Sequence, residues 1–594
     1  MVHRIHIPVM GICYTVDTPL RVAHLGITSV ISLVDDGLLE EYRMAYAERL
    51  GLDLGSPQTT RIGRIRSYLD FVADEVERKF ARLCAERFDG ASAKDLYCRM
   101  LPLDSRLRVE YDGLGAKVGL ARLAAEAALT EKMEPGEIQA NIMVGLNHEE
   151  AAFDAVRGFA ASKVKGSLVL SAGVNLAVFE EIAKCKDFYR TGIKAPSKKI
   201  ILKVSDYRSA LIQGRYLAKK GLEVYEYRIE SGVNCGGHAF FESKKLLLDV
   251  VREFVEKRKE LFETTRTMIE KFAQSVAGTA AQFVENTSSN VPVQGIVPPG
   301  APARITAQGG LCSPEDIETV MSLGIDGVGV GTPFLLVPQA TSMDKATRRM
   351  LAAAAPEDVY VSHASPLGIP FVNLRTSTAA ELCRKKVEEF FASESERSGA
   401  PELKPGFPCH QHYLCQKISG FDHPVCRASR EYVMQRLAEI ERMEADEIAE
   451  VREATDRIQG KNAMNAMENS LDSSRFTFRM TESEIRAKYD ALRRETLERE
   501  CICRFLGNAG REELRERSPS LHYQPEGVSV ARGSQPARVR EPVTICPNSD
   551  IGYFDREYTL EEMMCHLYGT GPRLTPKDKP SAFEVEAEIL AKTV

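Results

Sequence analysis

The chain has 594 residues, of which 44% are hydrophobic and 27% charged, an ordinary globular balance with enough apolar side chains for a large core. Its 78 Lys and Arg residues and 84 Asp and Glu residues leave a formal net charge of −6, too small an imbalance for charge-driven binding of nucleic acid or an anionic membrane. This composition excludes a fibre and a largely disordered chain, and we expect neither a nucleic-acid nor a membrane partner.

The N-terminal residues, MVHRIHIPVMGICYTV, lack the charged leader, apolar stretch and cleavage site of a signal peptide. The sequence contains no run of 18 apolar residues, so it predicts no membrane-spanning helix. We therefore expect a cytoplasmic protein. In a reducing compartment its 14 cysteines are expected to be thiols or metal ligands rather than disulfides.

Eight short apolar, β-branched runs, bounded by turn residues or polar segments, predict buried strands. They are Ile5–Gly11, Ile27–Val34, Ile138–Val144, Ser167–Ser171, Lys199–Val204, Leu222–Ile229, Ala303–Ala307 and Gly327–Gly331. Most are followed by a segment with helical periodicity, such as Asp17–His24 and Pro314–Leu323. This alternation predicts a parallel α/β sheet, and eight repeats favour a closed TIM (β/α)8 barrel.

Long helical stretches interrupt and follow the predicted barrel. Insertions at about 36–132 and 243–300 are each suited to a lid, an oligomer contact or a packed helical layer, and the sequence does not decide among these. We expect a barrel over residues 1–400 and a cysteine-containing, mainly helical region over residues 401–594. The helical arm predicted around Arg427–Glu500 and the insertions are the candidate surfaces for a homo-oligomer.

One segment of the predicted barrel, residues 303–334, has the pattern of a phosphate site. Its sequence, ARITAQGGLCSPEDIETVMSLGIDGVGVGTPF, reads as strand, glycine turn, helix capped by Ser313, strand and second glycine turn. Glycines at Gly309–Gly310 and at Gly331 allow backbone N–H groups to approach a phosphate without a Cβ in the way. Loops after the seventh and eighth strands recur as phosphate sites in such barrels. The pattern favours phosphate binding over tight turns without a ligand.

A second segment, ESGVNCGGHAFF, follows the sixth strand and contains Gly236, Gly237 and His238. The glycines would permit close approach of a flat ligand, and His238 would project over the mouth of the barrel, where barrel enzymes place catalytic groups. Histidine near its ordinary pKa accepts and donates protons at neutral pH. A structural histidine beside a turn is the alternative, and the phosphate pattern that follows favours catalysis.

The order of these motifs resembles the nitronate monooxygenase (2-nitropropane dioxygenase-like) family, which also includes flavin-dependent enoyl-acyl-carrier-protein reductases. Besides the two glycine segments, the matching residues are Pro8-Val9-Met10-Gly11, the LGxDGVxxGTxF strand and Ser365-Pro366-Leu367-Gly368-Ile369-Pro370. The resemblance covers most of residues 1–35 and 135–375. Three departures, at residues 231–235, Gln308 and Pro333, concern the surroundings of the substrate rather than of the flavin.

The resemblance implies an FMN-binding barrel. The residues that it assigns to the flavin are Met10, Gly11, Asn141, Lys203, Gly236, Gly237, Gly309, Gly310, Gly331 and Thr332. The phosphate would be held by Gly309, Gly310, Gly331 and Thr332. Met10 and Gly11 would lie under the isoalloxazine ring, and Asn141 and Lys203 would reach its polar edge or the ribityl chain. The charge of Lys203 suits the ring edge that becomes negative on reduction. A lysine extending from the barrel rim to solvent is the alternative.

A third group of residues is based on cysteine. PCHQHYLCQKISGFDHPVC places Cys409, Cys415 and Cys426 among three histidines, and Cys501 and Cys503 follow the helical arm. Such side chains can hold zinc or an iron–sulfur cluster. Their spacings match no standard ligand motif and include no CxxC pair, which favours free packed thiols over a metal site.

Taken together, these features predict an FMN-dependent oxidoreductase similar to nitronate monooxygenase. It would oxidise a small organic substrate, with His238 as the acid/base residue. One alternative is an enoyl-thioester reductase that takes an acyl substrate and uses NAD(P)H to reduce the flavin. An alternative from another class is a non-catalytic phosphate-ligand-binding or scaffold protein.

Overall fold

The computed structural model describes eleven stretches of the chain. They are residues 2–11, 14–143, 149–171, 174–232, 245–279, 295–362, 371–375, 437–438, 440–452, 481–497 and 549–593. The chain forms two compact units, of which the first comprises Met1–Val361, Phe371–Ala379 and Cys503–Val594, and the second Ser362–Pro370 and Ala380–Ile502. The expected boundary near residue 400 lies outside the described residues and stays a prediction.

Eight parallel strands close into a barrel in the first unit. They are β1 Ile5–Ile7, β2 Thr28–Ser32, β3 Ile138–Met143, β4 Ser167–Ser171, β5 Lys199–Val204, β6 Glu226–Glu230, β7 Arg304–Gln308 and β8 Gly327–Gly329. Each strand pairs with the next in chain order, and β1 also pairs with β8. The predicted TIM (β/α)8 fold is therefore confirmed. The predicted sixth strand began at Leu222, four residues before β6.

Thirteen α-helices accompany the barrel in the described part of residues 2–362. They are α1 Thr18–Val22, α2 Asp36–Leu50, α3 Arg61–Ala85, α4 Ala93–Arg99, α5 Arg106–Asp112, α6 Gly119–Glu131, α7 Glu149–Ala160, α8 Leu176–Ala183, α9 Tyr207–Ala218, α10 Leu247–Glu256, α11 Arg258–Thr279, α12 Pro314–Met321 and α13 Lys345–Ala352. A small two-stranded sheet, β9 Val359–Ser362 and β10 Phe371–Leu374, follows. Helices α2–α6 occupy the first predicted insertion, and α10 and α11 the second.

Helix α3 shows why the first insertion forms a packed layer. Its apolar residues Ile65, Leu69, Val72 and Val76 recur at spacings of three and four and are almost fully buried, as expected for one face of an amphipathic helix. Thr60 caps its first turn by accepting a hydrogen bond from the Gly63 N–H. This helix packs against α2 and α7.

The second unit contains two described helices, α14 (440–452) and α15 Glu482–Leu497. Ile440 and Ile448 of α14 pack against Ile485 and Tyr489 of α15. Within the described residues, no helix of either unit is long and apolar enough to cross a membrane.

The last described stretch, residues 549–593, belongs to the first unit and is called the C-terminal segment below. It contains a short 3₁₀ turn, Ser549–Tyr553, and the helices α16 Leu560–Leu567 and α17 Ala582–Thr593. A capping box opens α16, because Thr559 accepts from the Glu562 N–H and Glu562 accepts from the Thr559 N–H. The segment packs against α12 and against the 3₁₀ turn Thr332–Leu336.

Candidate functional site

The predicted flavin residues follow or end the barrel strands at one common end. The carboxyl ends of parallel barrel strands all open on the same face, where barrel enzymes hold their ligands. Met10 and Gly11 follow β1, Asn141 lies in β3 and Lys203 in β5. The two glycine turns follow β7 and β8. The closed barrel therefore brings these residues to one mouth.

Two predicted residues, Met10 after β1 and Gly331 after β8, lie close together at this mouth. A Cβ at Gly331 would lie 3.3 Å from Pro8 Cγ and 3.6 Å from Met10 Cγ. One layer deeper, a Cβ at Gly329 would lie 2.8 Å from both Gln308 Oε1 and His6 Nε2, closer than a side chain tolerates. The backbone at Gly329 and Gly331 thus lies close to neighbouring residues because neither glycine has a side chain.

The predicted phosphate turn after β7 has a backbone that favours glycine. Gly309 and Gly310 have φ angles of 129° and 69°, in the region where other residues meet steric strain. Ser313 then caps α12, since its Oγ accepts from the Asp316 N–H at 3.3 Å. Three residues separate Gly310 from the first residue of α12, so strand, turn and helix follow the pattern of an anion-binding helix N-terminus. The predicted cap and helix start are confirmed.

Lys203 is part of a charged group that the sequence did not indicate. Its Nζ lies 3.0 Å from Glu230 Oε2, and the side chains of Lys203 and Glu230 are 17% and 2% exposed. Gln308 Nε2 donates a hydrogen bond to the other carboxylate oxygen of Glu230. Lys203 is therefore held at the mouth by a buried carboxylate rather than extending freely to solvent.

A second buried charged group lies deeper in the barrel. Arg228 pairs with Glu226 at 2.7 Å and donates to Gln139 Oε1 at 2.9 Å. Because β6 and β3 are not neighbouring strands, that hydrogen bond crosses the barrel interior. Burial opposes the charge of Glu226, but Arg228 beside it lowers the pKa of Glu226 to about 2. Burial, aided by Arg228, lowers the pKa of His6 to about 3, so this imidazole stays neutral.

The acidic members of these groups, Glu226 and Glu230, were missed by sequence reasoning. A signal was present in EYRIE, where charged residues occupy every second position of a short strand. In a barrel strand this period of two places one set of side chains inside. Three charges in that set predict a polar interior, but the sequence does not show what pairs with them.

Asn141 is among the described residues, whereas several other predicted residues are not. Asn141 is buried in β3, and its carbonyl accepts from the Leu33 N–H at 3.0 Å. Gly236, Gly237 and His238 lie outside the described residues. So do all five predicted metal ligands, Cys409, Cys415, Cys426, Cys501 and Cys503. Within the described ranges, no group of three or more His, Cys, Asp or Glu residues is arranged to hold a metal.

The described residues fit the phosphate of FMN. The two glycines after β7 carry no side chain and have the α12 N-terminus close in sequence, and Gly331 after β8 lies against Pro8 and Met10. Thr332 begins the 3₁₀ turn that follows β8 and supplies a hydroxyl. A phosphate binds well where backbone N–H groups and a helix N-terminus converge.

Comparisons with known proteins show distant likenesses only. No family model and no curated protein matches the chain. The enoyl reductase domain of MlnA from Bacillus amyloliquefaciens is 13% identical with a TM-score of 0.30, covering 67% of this chain and 85% of its own. FabK from Thermotoga maritima is 16% identical with a TM-score of 0.26, covering 54% of this chain and 77% of its own. A nitroalkane oxidase from Streptomyces ansochromogenes is 9% identical with a TM-score of 0.29, and the match covers 63% of this chain and 77% of that one.

Proposed function

We propose that the protein is an FMN-dependent oxidoreductase that oxidises a small organic substrate, as nitronate monooxygenases do. The observation that carries this proposal is the mouth of the barrel, where a glycine turn with φ angles of 129° and 69° follows β7. Beside β8, Gly331 lies against Met10. This combination supports a site for a phosphate joined to a flat ring, and it accords with the motif order in the sequence.

The residues of the phosphate turn would bind and orient the cofactor. The N–H groups around Gly309 and Gly310 and in the first turn of α12 would donate hydrogen bonds to the phosphate. The Thr332 hydroxyl, which also hydrogen-bonds the buried Asp550, would add a further polar contact. When bound, FMN would supply the electron or hydride transfer.

Lys203 would hold positive charge at the polar edge of the ring. The buried carboxylate of Glu230 fixes its ammonium group at 3.0 Å, so little rotamer freedom is lost on contact with a ligand. His238, which the sequence places after β6, would accept or donate the proton that accompanies oxidation. Replacing His238 by Ala is expected to abolish turnover while FMN stays bound, and unchanged turnover would show that this assignment is wrong.

The cofactor is tested by purifying the chain and recording its absorbance. We expect a yellow protein whose flavin is released on denaturation and identified as FMN. A colourless protein that also fails to bind added FMN would overturn the proposal. Anaerobic reduction by NADH or NADPH, followed by reduction of an enoyl thioester, would identify a reductase instead.

Glycine substitutions test the location of the phosphate. Gly310→Ala is expected to weaken FMN binding about ten-fold or more, because it adds a Cβ where φ is 69° and the ligand approaches. Gly324→Ala is the matched control, since Gly324 has a φ of 90° at the other end of α12 and no heavy atom near its absent Cβ. Equal FMN affinities for the two variants would contradict this site.

A further inference from the structure

The C-terminal segment places a buried cation at the beginning of α12. Lys579 Nζ lies 3.1 Å from Asp316 Oδ2, and the two side chains are only 2% and 1% exposed. The Lys579 ammonium also donates to the Pro580 carbonyl at 2.7 Å. These partners lie 263 residues apart in the chain, so the ion pair exists only when the C-terminal segment is packed on α12.

Asp316 is the third residue of the helix that begins after the phosphate turn. Its carboxylate accepts from Ser313 Oγ at 2.7 Å and from the Ala582 N–H at 2.9 Å. A carboxylate at this position interacts favourably with the positive end of its own helix. The same interaction would oppose a second anion, because a phosphate at this terminus would meet a negative charge that water does not screen.

A neighbouring ion pair on the same helix is exposed to water, whereas the pair of Asp316 with Lys579 is buried. Glu315, the preceding residue of α12, pairs with Arg573 of the same C-terminal segment. The Glu315 side chain is 61% exposed and that of Arg573 is 26% exposed. Water screens this pair, so it contributes little to the field at the phosphate turn. Two ion pairs therefore join the same segment to the same helix turn, one buried and one exposed.

Other ionisable groups of the C-terminal segment also lie around the turn. His566 Nδ1 accepts from the Leu574 N–H at 3.2 Å, which leaves Nε2 to donate to the Cys312 carbonyl at 3.0 Å. Burial lowers the pKa of His566, so it carries no charge at neutral pH. Asp550 is buried and hydrogen-bonds Thr332, the predicted phosphate ligand after β8. The positive charge of Lys579 therefore lies near two acidic residues, Asp316 at the start of α12 and Asp550 beside Thr332.

We infer that Lys579 is a positioning residue for the FMN phosphate: it cancels the buried charge of Asp316, so that the N-terminus of α12 can bind an anion. This inference rests on the proposed function and deepens it, since it assigns part of the cofactor site to the C-terminal segment. Lys579 acts through Asp316 and the helix rather than by contact with the phosphate.

The test compares FMN with riboflavin, which has the same ring and chain but no phosphate. Apoprotein affinities are measured by flavin fluorescence. Lys579→Met is expected to weaken FMN binding about ten-fold and to leave riboflavin binding unchanged, because only the phosphate senses the uncancelled charge. Arg573→Met is the matched control and should change neither affinity. An equal loss for both ligands would show a structural role and overturn the inference.

Asp316→Asn is the second variant, and it keeps the test decisive if Lys579→Met fails to fold. It removes the negative charge, keeps the size of the side chain and leaves Lys579 positive, so FMN should bind more tightly than to the unaltered protein. General damage to the site would weaken binding instead. Unchanged or weaker FMN binding by Asp316→Asn would contradict the inference. If the unaltered apoprotein binds no FMN, the proposed function fails, and the inference fails with it.

Discussion

Helix α3 and the C-terminal segment both lie outside the barrel and pack against its helices, but they use different chemistry. Helix α3 buries a regular apolar face, with Leu69 and Val72 fully enclosed, and its buried carboxylate, Glu75, pairs with Arg78 of the same helix. The C-terminal segment buries apolar side chains as well, but it also buries Asp550, Lys579 and Glu586. Apolar packing is insensitive to pH, whereas buried ionisable groups couple packing to protonation. The comparison predicts that the two regions respond differently to mutation and to pH.

The largest expected effect comes from removing apolar packing. Leu69→Ala should lower the free energy of unfolding by about 3 kcal/mol, because it deletes buried methyl groups and leaves a cavity. Urea denaturation at acidic and at alkaline pH should give the same loss. Leu120→Ala in α6 is the control, since Leu120 is 84% exposed, and it should change stability by less than about 0.5 kcal/mol. A loss from Leu69→Ala that depends strongly on pH would break the comparison.

The C-terminal segment should show the opposite pattern. Burial raises the pKa of Asp550 to about 7 and that of Glu586 to about 7. Both lie above the pKa of an exposed carboxyl, so the folded protein holds protons that the unfolded chain has released. The stabilisation is therefore complete at low pH and is lost as pH rises towards and past 7.

Asp550→Asn removes one of these protonation steps. As pH rises from about 5 to about 8, the unfolding free energy of this variant should increase relative to that of the unaltered protein by on the order of 2 kcal/mol. Urea denaturation across this range measures the change. Asp578→Asn, at an exposed position of the same segment, is the control. If the unfolding free energies of Asp550→Asn and of the unaltered protein change in parallel with pH, the buried carboxyl of Asp550 does not govern the pH dependence of stability.

The smallest effect concerns a feature that both regions share, a capped helix start. Thr559→Ala removes the side chain that accepts from the Glu562 N–H at 3.2 Å and should cost about 1 kcal/mol. The cost should be larger at neutral than at acidic pH, because the Thr559 hydroxyl also donates to the Glu562 carboxylate at 2.9 Å, and Arg556 together with Thr559 lowers the pKa of Glu562 to about 2. Thermal or urea unfolding of Thr559→Ser, which keeps the cap, should match the unaltered protein. A cost that stays the same in acid would show that the Glu562 carboxylate does not contribute to the cap.

The barrel was predictable because its signals are local. Short β-branched runs alternate with amphipathic stretches, and glycine, serine and proline mark the turn before α12. Helix α3 was predictable for the same reason. The pairing of Lys203 with Glu230 was not, because alternation within a strand shows which side chains face inward but not which partner each one meets. The same limit applied to Asp316, whose partner lies in a distant part of the chain that matches no known pattern. His238 and the cysteine group remain predictions.

The ion pair between Asp316 and Lys579 also has a consequence for biosynthesis. The ribosome makes Asp316 long before Lys579, and the 263 residues between them take about 13–50 s at 5–20 residues per second. During that interval all eight barrel strands have been synthesised, but the carboxylate at the start of α12 lacks its cation. In a nascent chain the proposed phosphate turn therefore lacks this cation, and with Lys579 in its proposed role tight capture of a phosphate-bearing ligand is expected only after translation has passed Lys579.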